Sequence, residues 1–66
     1  MTESTLVFTN GDKTLGTPIT SSWTSADGIV VTVVTYKSSA GESDTEWHAA
    51  HNRHYATMWA AFPPGD

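Results

Sequence analysis

The stretch Ser43–Phe62, SDTEWHAAHNRHYATMWAAF, decides the fold predicted for this chain. Ser43 and Glu46 have the S/T-x-x-E spacing of a capping box, in which two side chains satisfy backbone amides at the start of a helix. The Pro63-Pro64 pair follows directly and cannot continue the helical hydrogen bonding. We therefore predict one α-helix over this stretch, followed by a short tail at 63–66.

The predicted helix is amphipathic. At about 100° of rotation per residue, its apolar half is centred on Trp47, His51 and Met58. This half must pack against a second layer, which the upstream strands have to supply. Tyr55 and Trp59 lie at the edge of the same arc, where we expect them to stay partly exposed. Because exposed aromatic side chains are typical of interfaces, we predict that both belong to a protein–protein interface.

Two β-prone runs, Ile19–Ala26 and Ile29–Tyr36, flank an Asp27-Gly28 pair. Asp-Gly is favoured in two-residue type I′ turns because both positions need positive φ. We predict an antiparallel hairpin over residues 19–36, in a register that places Trp23 opposite Thr32. The predicted core joins one face of this hairpin to the helix and consists of Trp23, Val30, Val34, Tyr36, Trp47, His51, Met58 and Phe62.

The same register leaves Ile29, Val31 and Val33 on the other face of the sheet. One helix can cover only one face, and a strand that is apolar on both faces is normally buried on both. We therefore predict a homodimer interface at Ile29, Val31 and Val33, or a partner protein in the same place. A chain of 66 residues without cysteine has neither a large core nor disulfides, which also favours oligomerisation.

Residues 5–15 contain a second hairpin signal, Asn10-Gly11, between two β-prone segments. This N-terminal hairpin either extends the sheet or folds over the Ile29/Val31/Val33 face and makes the protein a monomeric sandwich. In both cases residues 1–66 form a single α+β domain. Its sheet is an antiparallel ββ hairpin or ββββ meander, and its C-terminal helix packs on one sheet face.

The helix carries His48, His51 and His54 at a spacing of three. Imidazole is a common ligand of Zn²⁺, Ni²⁺ and Cu²⁺. Residues six apart differ by about 120° around a helix and by about 9 Å along it, so one ion cannot bind all three from a straight helix. A metal site would need a carboxylate such as Asp44 or a histidine from a second chain. The alternative is packing of these side chains as aromatic groups, with the pKa of a buried His51 lowered.

Charge and motif content narrow the function classes. A formal net charge of −4 with only three cations argues against nucleic-acid binding, which needs clustered cations. Stacking of single-stranded bases on Trp23 and Tyr36 is an alternative. No serine has a G-x-S-x-G context and no glycine-rich phosphate loop is present, so we predict no enzymatic activity and no cofactor. The lack of a signal-peptide pattern and of a bilayer-length apolar run predicts a cytoplasmic protein without membrane contact.

The C-terminal third carries a GES-x-x-E-W-x-x-x-H pattern from Gly41 to His51, with a proline-rich stop after Phe62. This pattern resembles short uncharacterised bacterial and phage-borne proteins. An arginine usually precedes the histidine in those proteins, whereas Ala50 precedes it here. The resemblance implies no known activity. We therefore predict a small interaction module that acts by protein–protein recognition as a homodimer or with another protein. A histidine-based metal-binding protein is the first alternative and a single-stranded nucleic-acid binder is the second.

Overall fold

The computed structural model describes residues 4–65, which form three strands and one long helix. These elements are β1 (Ser4–Asn10), β2 (Ile19–Thr24), β3 (Ile29–Thr35) and α1 (Asp44–Ala61), with a 3₁₀ turn at Lys13–Leu15. The strands form one mixed sheet in the order β1-β3-β2, with β1 parallel and β2 antiparallel to the central β3. The predicted α+β class is confirmed, but the sheet is not built only of antiparallel hairpins.

Helix α1 begins and ends where its capping signals predict. The Glu46 amide donates to the Ser43 hydroxyl at 3.2 Å, and the Ser43 amide donates to the Glu46 carboxylate at 3.1 Å, which completes the capping box. At the other end the Phe62 amide donates to the Met58 carbonyl at 2.8 Å, directly before Pro63. Within the described residues, no helix is long and apolar enough to cross a bilayer. The helix prediction is confirmed because its signals act within a few residues.

The β2–β3 connection is antiparallel as predicted, but its loop has three residues, Ala26–Gly28, instead of two. The Gly28 amide donates to the Ser25 carbonyl at 3.0 Å, and the Ser25 amide donates to the Ile29 carbonyl at 2.8 Å. Gly28 has a φ of 83°, as the last residue of such a loop requires. The Ser25 hydroxyl accepts a further hydrogen bond from the Ile29 amide at 3.1 Å. This loop moves the pairing of the two strands by one residue.

The one-residue shift exchanges the two faces of the sheet, because successive side chains point to opposite sides. Trp23 lies opposite Val31 rather than Thr32. We call the side chains on the Trp23 side the inner residues: Ser4, Leu6, Phe8, Asn10, Ile19, Ser21, Trp23, Ile29, Val31, Val33 and Thr35. We call the opposite side the outer face: Thr5, Val7, Thr9, Thr20, Ser22, Thr24, Val30, Thr32 and Val34.

The prediction that Ile29, Val31 and Val33 form an uncovered interface is wrong. Val31 and Val33 are each 0% exposed within a single chain, and by alternation Ile29 points to the same side. Val30 and Val34, which the predicted core included, lie on the outer face and are half-buried. The error follows entirely from the loop length. With three loop residues instead of two, Val31 and Val33 lie on the inner side of the sheet, in place of Val30 and Val34.

Strand β1 does not form the predicted hairpin over residues 5–15. It pairs in parallel with β3 along its whole length, and the Tyr36 amide donates to the Asn10 carbonyl at 2.8 Å. The chain then turns at Gly11, with a φ of 98°, instead of folding back on β1. An isolated two-stranded ribbon is only marginally stable. A place beside β3, a strand of valine, isoleucine and threonine, gives β1 a better partner.

The buried core is small. Among the described residues the buried apolar side chains are Val31 and Val33 at 0% exposure and Ala50 at 7%. The buried polar side chains are Ser25, Thr35 and His51. The molecule is elongated, with extents of 44 × 19 × 13 Å. Most of its aromatic and aliphatic side chains are therefore only half-buried by the chain itself.

Candidate functional site

His51 lies on α1 and is only 5% exposed. Its Nε2 atom lies 2.8 Å from the Ser21 hydroxyl of β2, and its Nδ1 atom lies 2.8 Å from the Thr35 hydroxyl of β3. A neutral imidazole has one donor and one acceptor, and a hydroxyl can take either role, so both ring nitrogens are paired. The predicted burial of His51 is confirmed. Sequence reasoning missed Ser21 and Thr35, because only the correct register brings both to the inner side.

Burial lowers the pKa of His51 below its ordinary value, since the charged imidazolium loses its hydration. Positive charge on His54 and on His48 lowers the pKa further. The two hydroxyls can each accept a hydrogen bond from the imidazolium, so hydrogen bonding does not prevent protonation. The direction of the shift agrees with the sequence prediction, and desolvation is its main cause.

The Ser21–His51–Thr35 group has part of the geometry of a hydrolytic triad. A serine hydroxyl within hydrogen-bond reach of an imidazole is the nucleophile–base pair of such enzymes. Their third member is a carboxylate that stabilises the imidazolium, whereas Thr35 is neutral. Residues 4–65 enclose no cavity at which a substrate could reach Ser21. In the structure, the two hydrogen bonds of the neutral His51 side chain link α1 to β2 and β3.

We expect the protein to lose stability as the pH falls from about 8 to about 5. Above the unfolded-state pKa of His51, about 6.5, the imidazole is neutral in both states and its contribution to stability is complete. Between that value and the lower folded-state pKa, the unfolded chain binds more protons, so the free energy of unfolding falls with pH. Urea denaturation followed by tryptophan fluorescence at both pH values measures the change.

The variant His51→Leu should lose most of this pH dependence. It also leaves the Ser21 and Thr35 hydroxyls without their partner, so its stability should fall at every pH, by about 1–3 kcal/mol. His48→Leu is the matched control, because His48 is exposed and its charge is the smallest of the causes that lower the pKa of His51, so most of the pH dependence should remain. An unaltered pH profile in His51→Leu would show that another group carries the effect.

His48 and His54 lie in different environments. His48 is exposed, and its Nδ1 atom donates to the Asp44 carbonyl at 2.7 Å. His54 is half-buried, contacts the Asn10 amide through Nε2 and has its ring centroid 5.2 Å from that of Phe8. In the part of the chain that the structure describes, no three histidine, aspartate or glutamate side chains are grouped so as to hold a metal ion. The three-histidine metal site stays a prediction.

Trp23, Tyr55 and Trp59 form an aromatic cluster. Their ring centroids lie 4.9 Å (Trp23–Tyr55), 5.2 Å (Trp23–Trp59) and 5.3 Å (Tyr55–Trp59) apart. The Trp23 indole donates to the Phe62 carbonyl at 2.8 Å, and Trp59 remains 40% exposed. The i, i+4 spacing of Tyr55 and Trp59 already indicates that the two are neighbours on a helix, but nothing local adds Trp23. Their role at an interface stays a prediction.

Lys37 is held against the start of α1. Its Nζ atom lies 2.9 Å from the Asp44 carboxylate and 5.3 Å from the centroid of the Trp47 ring. The hydrogen bond and the charge of Lys37 lower the pKa of Asp44. One of the three cations of the chain is therefore paired within the protein. Base stacking on Trp23 and Tyr36 stays a prediction.

The outer face carries no charged side chain. It consists of threonine, serine and valine, with threonine or serine beside valine in most cross-strand pairs. Val7 is 55% exposed, and the Ser22 and Thr32 hydroxyls lie 3.2 Å apart. The charged residues within 4–65 all lie elsewhere. The outer face is therefore an uncharged surface of hydroxyl and valine side chains.

Comparison of the chain with protein-family models, with curated proteins and with solved structures finds no match. The resemblance of the C-terminal third to short bacterial and phage-borne proteins therefore stays a prediction.

Proposed function

We propose that this protein is a small non-enzymatic interaction module that acts by protein–protein recognition, as a homodimer. The observation that carries the proposal is the contrast between its core and its surface. Val31 and Val33 are the only large apolar side chains fully buried in the described residues. Val7 at 55% and Trp59 at 40% remain exposed. So small a core is characteristic of chains that gain stability by association.

We infer that α1 covers the inner residues of the sheet. His51 bonds to one residue of β2 and one of β3, and Trp23 stacks with Tyr55 and Trp59 of the helix. α1 is the only helix in residues 4–65 that is longer than one turn, so no second helix is available to cover the outer face. The outer face, where Val7 is 55% exposed and Val30 and Val34 are half-buried, is left for association, since a strand that is apolar on two sides is normally buried on both.

Two features support recognition rather than catalysis. The Nδ1 atom of His51 is paired with the neutral Thr35 hydroxyl and not with the carboxylate that stabilises the imidazolium in a hydrolytic triad. The aromatic cluster supplies partly exposed tryptophan and tyrosine, the residues that most often dominate the binding energy of protein interfaces.

Sedimentation equilibrium of the purified, tag-free protein tests the homodimer. We expect a mass close to twice 7.1 kDa at tens of micromolar, with dissociation on dilution. Because the outer face and the sheet edges are uncharged, the dimer should persist in about 1 M NaCl, where exposed ionic contacts are screened. A single species of 7.1 kDa under these conditions would overturn the homodimer.

A further inference from the structure

Strand β1 is an edge strand with free backbone groups. The Asn10 carbonyl accepts from the Tyr36 amide at 2.8 Å, so Asn10 directs its backbone groups towards β3. Backbone groups alternate in direction along a strand, and those of Thr5, Val7 and Thr9 therefore point away from the sheet. All three residues are exposed, with Val7 at 55%. This edge offers three amides and three carbonyls to another strand.

The edge of β1 lacks the features that keep edge strands from pairing. Its sequence, STLVFTN, contains no charged residue and no proline. The opposite edge, on β2, is different. There the Gly65 amide donates to the Thr24 carbonyl at 3.3 Å, and the Ala26 amide donates to the Pro63 carbonyl at 2.8 Å. The proline-rich tail thus occupies part of the β2 edge, while the β1 edge is open along its length in the described residues.

The sequence of β1 is complementary to itself about Val7. Positions at equal distances from Val7 carry residues of the same kind: Leu6 and Phe8, Thr5 and Thr9, Ser4 and Asn10. In an antiparallel pair of two β1 strands centred on Val7, each such residue therefore lies opposite its equivalent in the second copy. The outward backbone groups of the two strands then face each other and form two hydrogen bonds per pair, or about six in all.

The same pairing also covers apolar side chains that a single chain leaves half-open. Leu6 and Phe8 are half-buried, since the backbone of α1 approaches β2 and β3 but not β1. In the paired arrangement Leu6 of each copy lies beside Phe8 of the other. Cross-strand apolar pairs of this kind stabilise a sheet. On the outer face Val7 meets Val7 of the second copy, and no charged side chain opposes the contact.

We propose that a second copy of this chain pairs with the edge of β1, antiparallel and centred on Val7. Two three-stranded sheets then become one continuous six-stranded sheet with two-fold symmetry, the commonest arrangement of a dimer. The proposal rests on the homodimer proposed above and places its interface at the β1 edge. The outer faces of the two copies then join into one surface that this contact does not cover. Main-chain hydrogen bonds provide the association, as in other cases of strand addition.

The variant Val7→Pro tests the interface directly. Proline removes the outward amide at the centre of the pairing and is tolerated at an edge position whose amide faces solvent. Ser22→Pro is the matched control, because its backbone groups point outward on the β2 edge, like those of Thr24. We expect Val7→Pro to raise the dimer Kd on the order of 100-fold and Ser22→Pro to leave it unchanged. Circular dichroism establishes that both variants are folded.

Disulfide trapping tests the register and does not depend on the proline variant folding. The chain has no cysteine, so each variant has a single thiol. Residues in a hydrogen-bonded antiparallel pair have Cα atoms about 5.5 Å apart, which is within disulfide range. Val7→Cys should therefore form a covalent dimer on mild oxidation. Thr9→Cys alone should not, because two copies of Thr9 lie about 13 Å apart, but a mixture of Thr5→Cys and Thr9→Cys should.

The outcomes separate this inference from the proposed function. A monomeric Val7→Pro variant together with Val7→Cys cross-linking supports the β1 interface. A wild-type dimer that survives Val7→Pro, and whose Val7→Cys variant does not cross-link, overturns the β1 interface and leaves the homodimer standing. A wild-type monomer overturns the homodimer itself.

Discussion

Gly11→Ala is expected to lower the free energy of unfolding by about 3 kcal/mol or more. A Cβ atom at position 11 would lie 2.7 Å from the Tyr36 carbonyl carbon and closer still to its oxygen. Gly11 also has a φ of 98°, where a residue other than glycine is strained by about 1–3 kcal/mol. Backbone atoms cannot move aside as a flexible side chain can, so the clash adds to the strain. Urea denaturation measures the loss.

Gly16→Ala is the matched control for this substitution. Gly16 has a similar φ of 105°, but a Cβ atom there would meet nothing within 4 Å. Only the conformational strain remains, and we expect a smaller loss, of about 1–3 kcal/mol. Equal losses in the two variants would contradict the close approach of Gly11 to Tyr36. They would also contradict the parallel pairing of β1 with β3, which brings Gly11 beside Tyr36.

Val33→Asp is expected to unfold the protein. Val33 is 0% exposed, and a carboxylate buried there has no cation to pair with among the inner residues of the sheet. Burial of an unpaired charge costs at least about 4 kcal/mol. Domains of this size have total stabilities of about 3–10 kcal/mol, so the cost takes most or all of it. Far-ultraviolet circular dichroism at low concentration would show the loss of structure.

Val34→Asp is the control, because the neighbouring side chain points to the opposite side of the sheet. Val34 is half-buried on the outer face, where a carboxylate can still reach water. The expected cost is about 1 kcal/mol, close to the low strand propensity of aspartate. The reverse order of effects would mean that Val34 is inside, as the two-residue turn predicts. Where Val33→Asp does not fold at all, Val33→Thr and Val34→Thr give the same comparison with measurable losses.

These substitutions separate the fold from the association. The contacts of Gly11 and Val33 lie within one chain, so variants at these positions should lose structure at any protein concentration. The amide and carbonyl of Val7 point away from β3, so Val7→Pro should halve the mass of the particle and remove the stability gained by association, while each chain keeps its fold. The outer face and the β1 edge can therefore be tested for association without first resolving the effect of each substitution on folding.

Local signals in the sequence were sufficient for α1. The capping box at Ser43 and Glu46, the proline stop and the 3.6-residue periodicity each act within one or two turns. They correctly predict the helix, its bounds to within a residue and the burial of His51. The α+β class follows from this helix and from the β-prone runs before it. The positive φ of Gly28 was also predictable, because both turn types that suit Asp-Gly require it.

Tertiary structure alone decided the register of the sheet and the partner of β1. The Asp27-Gly28 pair fits a two-residue and a three-residue loop almost equally well. In the three-residue loop that forms, the Ile29 amide also donates a hydrogen bond to the Ser25 hydroxyl. The difference of one residue in loop length determines whether Val33 or Val34 is buried. The Asn10-Gly11 pair likewise has the sequence of a hairpin turn, yet β1 gains more by lying beside the valines of β3 than beside residues 12–15. Pairing between distant segments depends on the surface that each can bury, and no short window of sequence contains that information.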